Sequence, residues 1–142
     1  ADPRASTPAQ ADTYRDSSRG WFRVSTCTPS PANNNCSTFV NSGVPNKMFY
    51  LLANGGFHNN VSVTGIGVNN AMQVMLLANE RRWTPTTNLL QARTGSVQIA
   101  DSINPSFWGQ QIRKAWDAVR VCERGDVNSR WSTFARGCVI RA

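Results

Sequence analysis

The stretch NSGVPNKMFYLLANGG, residues 41–56, decides the fold, and the stretch VSVTGIG follows it at residues 61–67. Pro45 suits a first helical turn, and Gly55 and Gly56 can take the left-handed conformation that ends a helix. The apolar residues that recur at helical spacing are Val44, Met48, Leu51 and Leu52. The stretch therefore predicts a loop, a short amphipathic helix that ends at the glycines, and a small extended segment with no strand ladder.

Length and composition predict one globular domain. A chain of 142 residues is long enough to bury a core and short enough to form a single domain. Its apolar content of 40%, with five Trp and six Phe, argues against disorder. No apolar run approaches the length of a membrane helix, so we expect no membrane span.

The chain is strongly basic, with a formal net charge of +7 and a pI near 10.1. Such a field attracts polyanions, so an anionic glycan is a partner that the charge permits. The basic residues are dispersed, however, and no Lys/Arg run alternates with aromatic residues to form a stacking platform for bases. We therefore expect a solvated basic surface and no nucleic-acid binding.

Four cysteines lie in two distant pairs, Cys27 with Cys36 and Cys122 with Cys138. Three connectivities are possible, and pairing within each local loop is the simplest. Metal ligation is disfavoured because the chain has no CxxC motif and only His58 to complete a site. The even cysteine count favours two disulfides and an oxidising compartment.

Two sequons for N-glycosylation, at Asn35 and Asn60, also indicate a secreted, extracellular glycoprotein. No secretion signal is present. We expect that it has been removed and that the chain is a mature or truncated product.

The predicted organisation has three parts. Residues 1–10 are small and polar and predict a flexible leader, which could also be an expression artefact. Residues 11–121 form the helical domain, irregular up to about Thr38 and then helical. Residues 122–142 form an irregular, cysteine-closed tail packed on that domain.

Three more helices are predicted after the opening stretch. The first ends near Arg82, where cations suit the negative end of the helix dipole, and its predicted inner face is Val68, Ala71, Met72, Met75 and Ala78. The second begins after Thr86 or Thr87 as N-cap, with the inner face Leu89, Ala92, Ser96, Ile99 and Ile103. The third begins around Asn104, with the inner face Trp108, Ile112, Ala115, Trp116 and Val119.

Several blocks of this sequence also resemble the C-terminal helical domain of thermolysin-like zinc metallopeptidases, in order and spacing. They are the two stretches quoted above, DTY at residues 12–14, WTPTTN at 83–88, QAR at 91–93 and AWDAV at 115–119. The tail after Val121 has no counterpart. The resemblance implies a mainly α fold, a thermolysin C-terminal-domain-like helical bundle with an irregular N-terminal loop region.

The resemblance also implies a zinc domain on the N-terminal side, with a His-Glu-x-x-His helix that this chain lacks. In the family, a histidine immediately before the NSG turn stabilises the oxyanion, and an aspartate orients it. Phe39 and Asn34 stand at those two positions here. Because Phe cannot donate a hydrogen bond, we expect no catalytic residue in this chain and no cofactor of its own, since zinc would belong to the N-terminal domain.

Other candidates for catalysis are weak. His58 lies in a predicted turn with no nucleophile or metal partner beside it. Ser42 is explained by the NSG turn, and a nucleophilic serine would need a base and an oxyanion hole. Asp101 and Asp117 are predicted to be helix-surface residues rather than a carboxylate pair.

Two functions fit these residues. The first is the C-terminal domain of a secreted thermolysin-like metallopeptidase, non-catalytic as an isolated chain and degenerate, whose partner is an N-terminal zinc-peptidase domain. The second is a free-standing extracellular module that binds another protein. The predicted binding residues are Phe39, Asn41, Arg130 and Arg136.

Overall fold

The computed structural model describes residues 2–5, 7, 9–22 and 27–122, and the chain divides into two compact units, Ala1–Lys47 and Met48–Ala142. The α-helices of the described part are α1 (Asn34–Asn41), α2 (Gly43–Asn54), α3 (Val68–Arg81), α4 (Leu89–Ile103) and α5 (Trp108–Ala118). Strands β1 (Gly56–His58) and β2 (Val61–Val63) form one small antiparallel sheet. The mainly α class is confirmed. Of the described helices, none has both the length and the apolar character that a membrane crossing requires.

The first unit consists of short turns and α1. Its 3-10 turns are Pro3–Ala5, Ser17–Arg19 and Pro31–Asn33. The backbone N–H of Ala11, a fully buried residue, donates to the carbonyl of Val40 at 2.8 Å and fixes the entering chain to the end of α1. Pro3 and Gln10 are buried as well, and they are joined by a backbone hydrogen bond of 2.9 Å. The predicted boundary at residue 11 and the flexibility of the leader stay predictions.

Helix α1 was not predicted, because the sequence indicated irregular structure up to about Thr38. Asn33 explains its start: the side-chain oxygen accepts the N–H of Cys36 at 3.0 Å and satisfies a donor at the open end of the helix. The asparagine-rich sequence has little helical preference of its own. The capping hydrogen bond of Asn33, rather than helix propensity, therefore determines where α1 begins.

Helix α2 has the predicted inner face and the predicted end. Its inward residues are almost completely buried: Val44, Met48, Leu51 and Leu52. Gly55 takes a φ of 75° immediately after the last helical residue, in the left-handed region that glycine enters without steric cost. The amphipathic pattern of the opening stretch is thus confirmed.

The chain then forms a β-hairpin, although no strand ladder was predicted. Phe57 pairs with Ser62 and His58 with Val61, and a two-residue turn joins the strands. Both turn residues, Asn59 and Asn60, have positive φ, 47° and 63°. This matches the type I′ turn, which asparagine accommodates and which suits the twist of paired strands. Two adjacent asparagines were the signal for this turn.

The core of the second unit is built on α4, which packs against both α3 and α5, while α5 also packs against β2. Trp116 is the largest fully buried side chain among the described residues, and its indole N–H donates to the Oγ of Ser96 at 3.0 Å. Other buried residues of α3, α4 and α5 are Ala71, Val74, Ala78, Val97, Ile99, Ala100, Ile112 and Ala115.

The predicted inner face of α3 is wrong in part. Val68 is 56% exposed and Met72 is 43% exposed, whereas Val74, which was not predicted, is fully buried. Helix α3 carries two adjacent apolar arcs, and periodicity alone does not say which one meets the core. The smaller side chains of Ala71 and Ala78 let α3 approach its neighbours, so that arc is the one buried.

Two helix starts also differ from the prediction. Asn88, not Thr86 or Thr87, caps α4, and it exchanges hydrogen bonds with Gln91 in a capping box. Helix α5 begins at Trp108 rather than around Asn104, because the Asn104 side chain accepts the N–H of Phe107 and holds a turn before the helix. In α4, Ile103 is 40% exposed and does not line the core.

Candidate functional site

Phe39 lies two residues before the end of α1, with its side chain 55% exposed. Its backbone carbonyl forms hydrogen bonds with one residue that precedes it in the sequence and one that follows it. The carbonyl oxygen accepts the hydroxyl of Ser42 at 2.6 Å and the side-chain amide of Gln10 at 3.2 Å. The backbone of Phe39 is therefore fixed, while its ring is presented to solvent.

Asn41 connects α1 to the chain around Phe22. Its side-chain oxygen accepts the N–H of Phe22 at 2.8 Å, and its amide donates to the carbonyl of Phe22 at 3.0 Å. The Asn41 side chain thus forms with the Phe22 backbone the two hydrogen bonds that a neighbouring β-strand would form. Asn41, predicted as a binding residue, has both polar atoms engaged inside the first unit, where they position Phe22, itself 40% exposed.

The start of α1 is joined to the preceding loop by a disulfide between Cys27 and Cys36, which confirms the predicted local pairing. Asn33 reinforces this closure, because its amide donates to the carbonyl of Thr28 at 2.9 Å. Asn34 is exposed and takes a φ of 51°, a left-handed conformation that asparagine tolerates. The loop and the first turn of α1 therefore form one closed structure.

A buried carboxylate lies in the same unit. Asp12 has a side chain only 1% exposed, and it forms a two-point ion pair with Arg19, whose Nε donates to Oδ1 at 2.9 Å. The hydroxyl of Thr13 donates to the same oxygen at 3.0 Å. The bidentate geometry compensates the burial of the charge. These contacts tie the buried carboxylate of Asp12 to Arg19 and Thr13 within the first unit.

The polar chemistry near Phe39 is limited. Ser42 donates its hydroxyl to a backbone carbonyl, as expected for a residue at a helix end. His58, the one histidine of the chain, is buried in β1. Among the residues that the structure describes, no group of three or more His, Cys, Asp or Glu side chains could hold a metal ion. The described residues therefore offer no ligand set for a zinc ion, which the family resemblance places in an N-terminal domain.

The other predicted site residues have the following places. Asn35 and Asn60, the sequon asparagines, are both exposed. Cys122 is disulfide-bonded, and Cys138, its predicted partner, lies outside the described residues. Arg130 and Arg136 also lie outside them.

The carboxylates of α4 and α5 form ion pairs that the sequence did not predict. Arg93, 5% exposed, pairs with Asp117 and also donates to the carbonyl of Val121 at 2.8 Å. Asp101 pairs with Arg113 through two hydrogen bonds of 2.8 and 2.7 Å. The Arg113 hydrogen bonds hold the pKa of Asp101 below its usual value, and the nearby positive charge adds to this, although partial burial opposes it.

Sequence reasoning missed Phe22 and Gln10 as parts of this region. Phe22 is 40% exposed, and its backbone is held by the side chain of Asn41. Gln10 lay in the predicted leader, and its role depends on a contact 29 residues away in sequence. No local pattern carries that information.

Residues 2–121 match the family described as thermolysin metallopeptidase, alpha-helical domain. The chain belongs to this family. It is 45% identical over 69 residues to bacillolysin of Bacillus cereus, covering 49% of this chain and 12% of that protein. It is 38% identical over 89 residues to thermolysin of Alicyclobacillus acidocaldarius subsp. acidocaldarius, covering 61% of this chain and 16% of that protein. The chain thus spans less than a fifth of the length of these relatives.

Proposed function

We propose that this chain is the C-terminal domain of a secreted thermolysin-like metallopeptidase and that it has lost the catalytic contribution of such a domain, so that it is a pseudo-peptidase domain. The observation that carries the proposal is the exposed ring of Phe39, two residues before Asn41 of the NSG turn. At this position the family resemblance implies a histidine that donates a hydrogen bond to the oxyanion.

The chemistry of Phe39 supports the loss of function. Its ring has no donor, and its carbonyl is already an acceptor for Ser42 and Gln10. Removing one oxyanion donor typically costs about 10²–10³ in turnover. Asn34 adds to this loss, because a neutral amide does not stabilise an imidazolium as a carboxylate would.

The partner in this proposal is an N-terminal zinc-peptidase domain of the same protein. The match to the helical domain of the thermolysin metallopeptidase family supports it, together with the small share, less than a fifth, of each relative's length that the chain covers. Zinc would be held by that domain, and this chain would bind no cofactor. The disulfide between Cys27 and Cys36 supports a secreted protein. The helical domain over residues 11–121 and the cysteine-closed tail over 122–142 belong to the same proposal.

The test uses the full-length gene product and a peptide substrate. We expect no zinc-dependent, chelator-sensitive cleavage by the natural protein. The double variant Phe39→His with Asn34→Asp, made in the same full-length protein, should show such cleavage at a rate at least about tenfold above the background measured with the natural protein. Chelator-sensitive cleavage by the natural protein would overturn the proposal. A reading frame with a signal peptide directly before this domain would remove the N-terminal partner.

One observation favours a second function, a free-standing extracellular module that binds another protein. Phe22 and Phe39 are both exposed, and Asn41 holds the Phe22 backbone close to the end of α1. Exposed aromatic residues of this kind are frequent centres of protein interfaces. A binding screen against extracellular proteins and sulfated glycans should find a partner whose affinity falls at least tenfold in Phe39→Ser or Phe22→Ser. If neither variant changes binding, nor replacement of Arg130 and Arg136, this second function is wrong.

A further inference from the structure

We propose that Asn54 is a site of spontaneous deamidation, which the folded chain suppresses and which opening of the end of α2 permits. Asn54 is the last residue of α2, is exposed, and is followed by Gly55. This is the one Asn-Gly pair in the sequence. Because glycine has no Cβ to shield its backbone nitrogen, that nitrogen can attack the side chain of a preceding asparagine. The proposal does not depend on the proposed function.

The reaction needs only water and hydroxide. The backbone nitrogen of Gly55 gives its proton to hydroxide and forms a bond to the side-chain carbonyl carbon of Asn54. The bond from that carbon to the side-chain nitrogen breaks, and this nitrogen leaves with the electron pair, takes a proton from water and becomes ammonia. Water then opens the cyclic imide at either carbonyl. The product is an aspartate, or an isoaspartate in which the main chain runs through the former side chain.

In the folded chain, hydrogen bonds hold the two reacting groups apart. The N–H of Gly55 donates to the carbonyl of Leu51 at 2.8 Å. The side-chain amide of Asn54 donates to the carbonyl of Tyr50, four residues earlier, at 3.3 Å. The Asn54 side chain therefore lies back along the helix, whereas the nitrogen that must attack it belongs to the following residue. The closed structure lacks the near-attack geometry that the reaction requires.

A close backbone crossing keeps this arrangement in place. The chain that leaves β2 passes the end of α2 at Gly65. A Cβ atom on Gly65 would lie 2.6 Å from the nitrogen of Gly55, and one on Gly55 would lie 2.8 Å from the nitrogen of Gly65. Beside the crossing, the N–H of Gly67 donates to the carbonyl of Ala53 at 3.0 Å. The Asn54 side chain can therefore turn toward the Gly55 nitrogen only after this crossing has opened.

Both products fit the closed structure less well than asparagine does. An isoaspartate adds one carbon to the main chain where the backbones of Gly55 and Gly65 already lie in contact. An aspartate places a negative charge at the carboxyl end of α2, which carries the negative end of the helix dipole. A molecule that has opened and reacted therefore closes less readily, so a transient opening leaves a permanent chemical change.

The hairpin turn supplies an internal comparison. Asn59 is followed by Asn60, and Asn60 is followed by Val61. In both places a side chain shields the backbone nitrogen that would attack. Once the chain is unfolded, Asn59 and Asn60 should therefore react more slowly than Asn54.

The experiment follows deamidation of the complete purified chain in buffer and in urea at the same mildly alkaline pH. Peptide mapping by mass spectrometry measures the fraction of each asparagine that has been converted over time. In urea, Asn54 should react faster than Asn59 and Asn60. In buffer, Asn54 should react at least about tenfold more slowly than in urea, because only the open fraction of the molecules reacts. Equal Asn54 rates in buffer and urea would overturn the proposal, and so would an Asn54 rate in urea no higher than that of Asn60.

Hydrogen exchange of the Gly55 amide tests the mechanism in the natural protein. Exchange requires the same N–H to be released from the carbonyl of Leu51. Its protection factor should therefore be of the same order as the slowing of deamidation at Asn54. Deamidation that is slowed far less than exchange would show that Asn54 is attacked in the closed structure, against the proposal.

The variant Gly65→Ala tests the crossing, since Gly65 has no positive φ and only packing opposes its methyl group. It should raise the Asn54 rate in buffer at least about threefold, because the end of α2 opens more often. The matched control is Gly95→Ala in α4, where the atoms nearest to a new Cβ belong to Arg82 and Trp83. This control should leave the rate within about twofold of the natural value, because a local opening does not require α4 to unfold.

An unchanged rate in Gly65→Ala, or an equal rise in Gly95→Ala, would contradict control by the crossing. If Gly65→Ala does not fold, the comparison of exchange with deamidation in the natural protein decides. None of these measurements involves peptide cleavage or a binding partner, so their failure is distinct from failure of the proposed function.

Discussion

The carbonyl oxygen of Ala11 lies 2.2 Å from the point that a Cβ atom on Gly43 would occupy. The Cβ of Gln10 lies 2.6 Å from the same point. Both distances are far below van der Waals contact, so the glycine of the NSG turn is needed for close packing rather than for an unusual backbone angle. The first turn of α2 can rest on residues 10 and 11 only without a side chain at this position.

This contact predicts that Gly43→Ala destabilises the protein. Backbone atoms must move to admit the methyl group, which typically costs about 1–3 kcal/mol. The measurement is urea unfolding of the purified chain. Asn46→Ala, an exposed change in the same helix, should stay within about 0.5 kcal/mol of the natural protein. Equal stabilities for the two variants would show that the close packing at Gly43 does not require a glycine.

The second prediction concerns the disulfide between Cys27 and Cys36, which closes a loop with a sequence separation of 9. By the chain-entropy argument, replacing both cysteines with alanine should cost about 2–3 kcal/mol. Because Cys36 is in the first turn of α1, the loss should also reduce protection of the α1 amides against hydrogen exchange. A double variant with unchanged stability and unchanged exchange in α1 would contradict this role.

The two ion pairs of α4 and α5 predict different outcomes for the same chemical change. Asp117→Asn leaves the guanidinium of Arg93, 5% exposed, without its counter-charge, and should cost about 2–4 kcal/mol. Asp101→Asn breaks a pair whose arginine is 40% exposed, and should cost less than about 1 kcal/mol. Denaturant unfolding of both variants at pH 7 tests this order, and a larger loss at Asp101 would reverse our interpretation.

The Asp101–Arg113 pair also predicts a dependence on pH. The folded-state pKa of Asp101 is lower than its unfolded value, chiefly because of the Arg113 hydrogen bonds. Its contribution to stability is therefore complete above the unfolded pKa, about 4, and is lost as pH falls through the folded pKa. The stability gap between the natural protein and Asp101→Asn should be constant from pH 5 to 7 and should shrink as the pH falls below the unfolded pKa, about 4. A gap that grows on acidification would contradict the assigned direction.

Some of the fold could be predicted from the sequence because its signals are local. The face of α2 and its end at Gly55 follow from helical spacing and glycine chemistry, and both are confirmed. Helix α1 could not be predicted in this way, since Asn33 and a disulfide stabilise a segment with weak helical preference. For α3, the sequence shows two adjacent apolar arcs and does not indicate which one is buried. The packing of the neighbouring helices determines this.

The candidate site was less predictable, since its contacts join residues distant in sequence. Asn41 was predicted as a binding residue, and its hydrogen-bond partner Phe22 is 19 residues away. Likewise, Asp117 looked like a surface residue, yet its partner Arg93 is buried and 24 residues away. Composition and spacing indicate which residues are charged or aromatic. They do not indicate which of them meet.

Arg93 has a consequence for the way the second unit opens. One guanidinium on α4 bonds to Asp117 near the end of α5 and to the carbonyl of Val121 beyond it. Neither element can separate from α4 without exposing this buried cation, so the three segments should unfold as one cooperative unit. Native-state hydrogen exchange should therefore give the most protected amides of α4 and α5 the same opening free energy. In the Asp117→Asn variant the opening free energy should become lower for α5 than for α4, because the end of α5 can then unfold without α4.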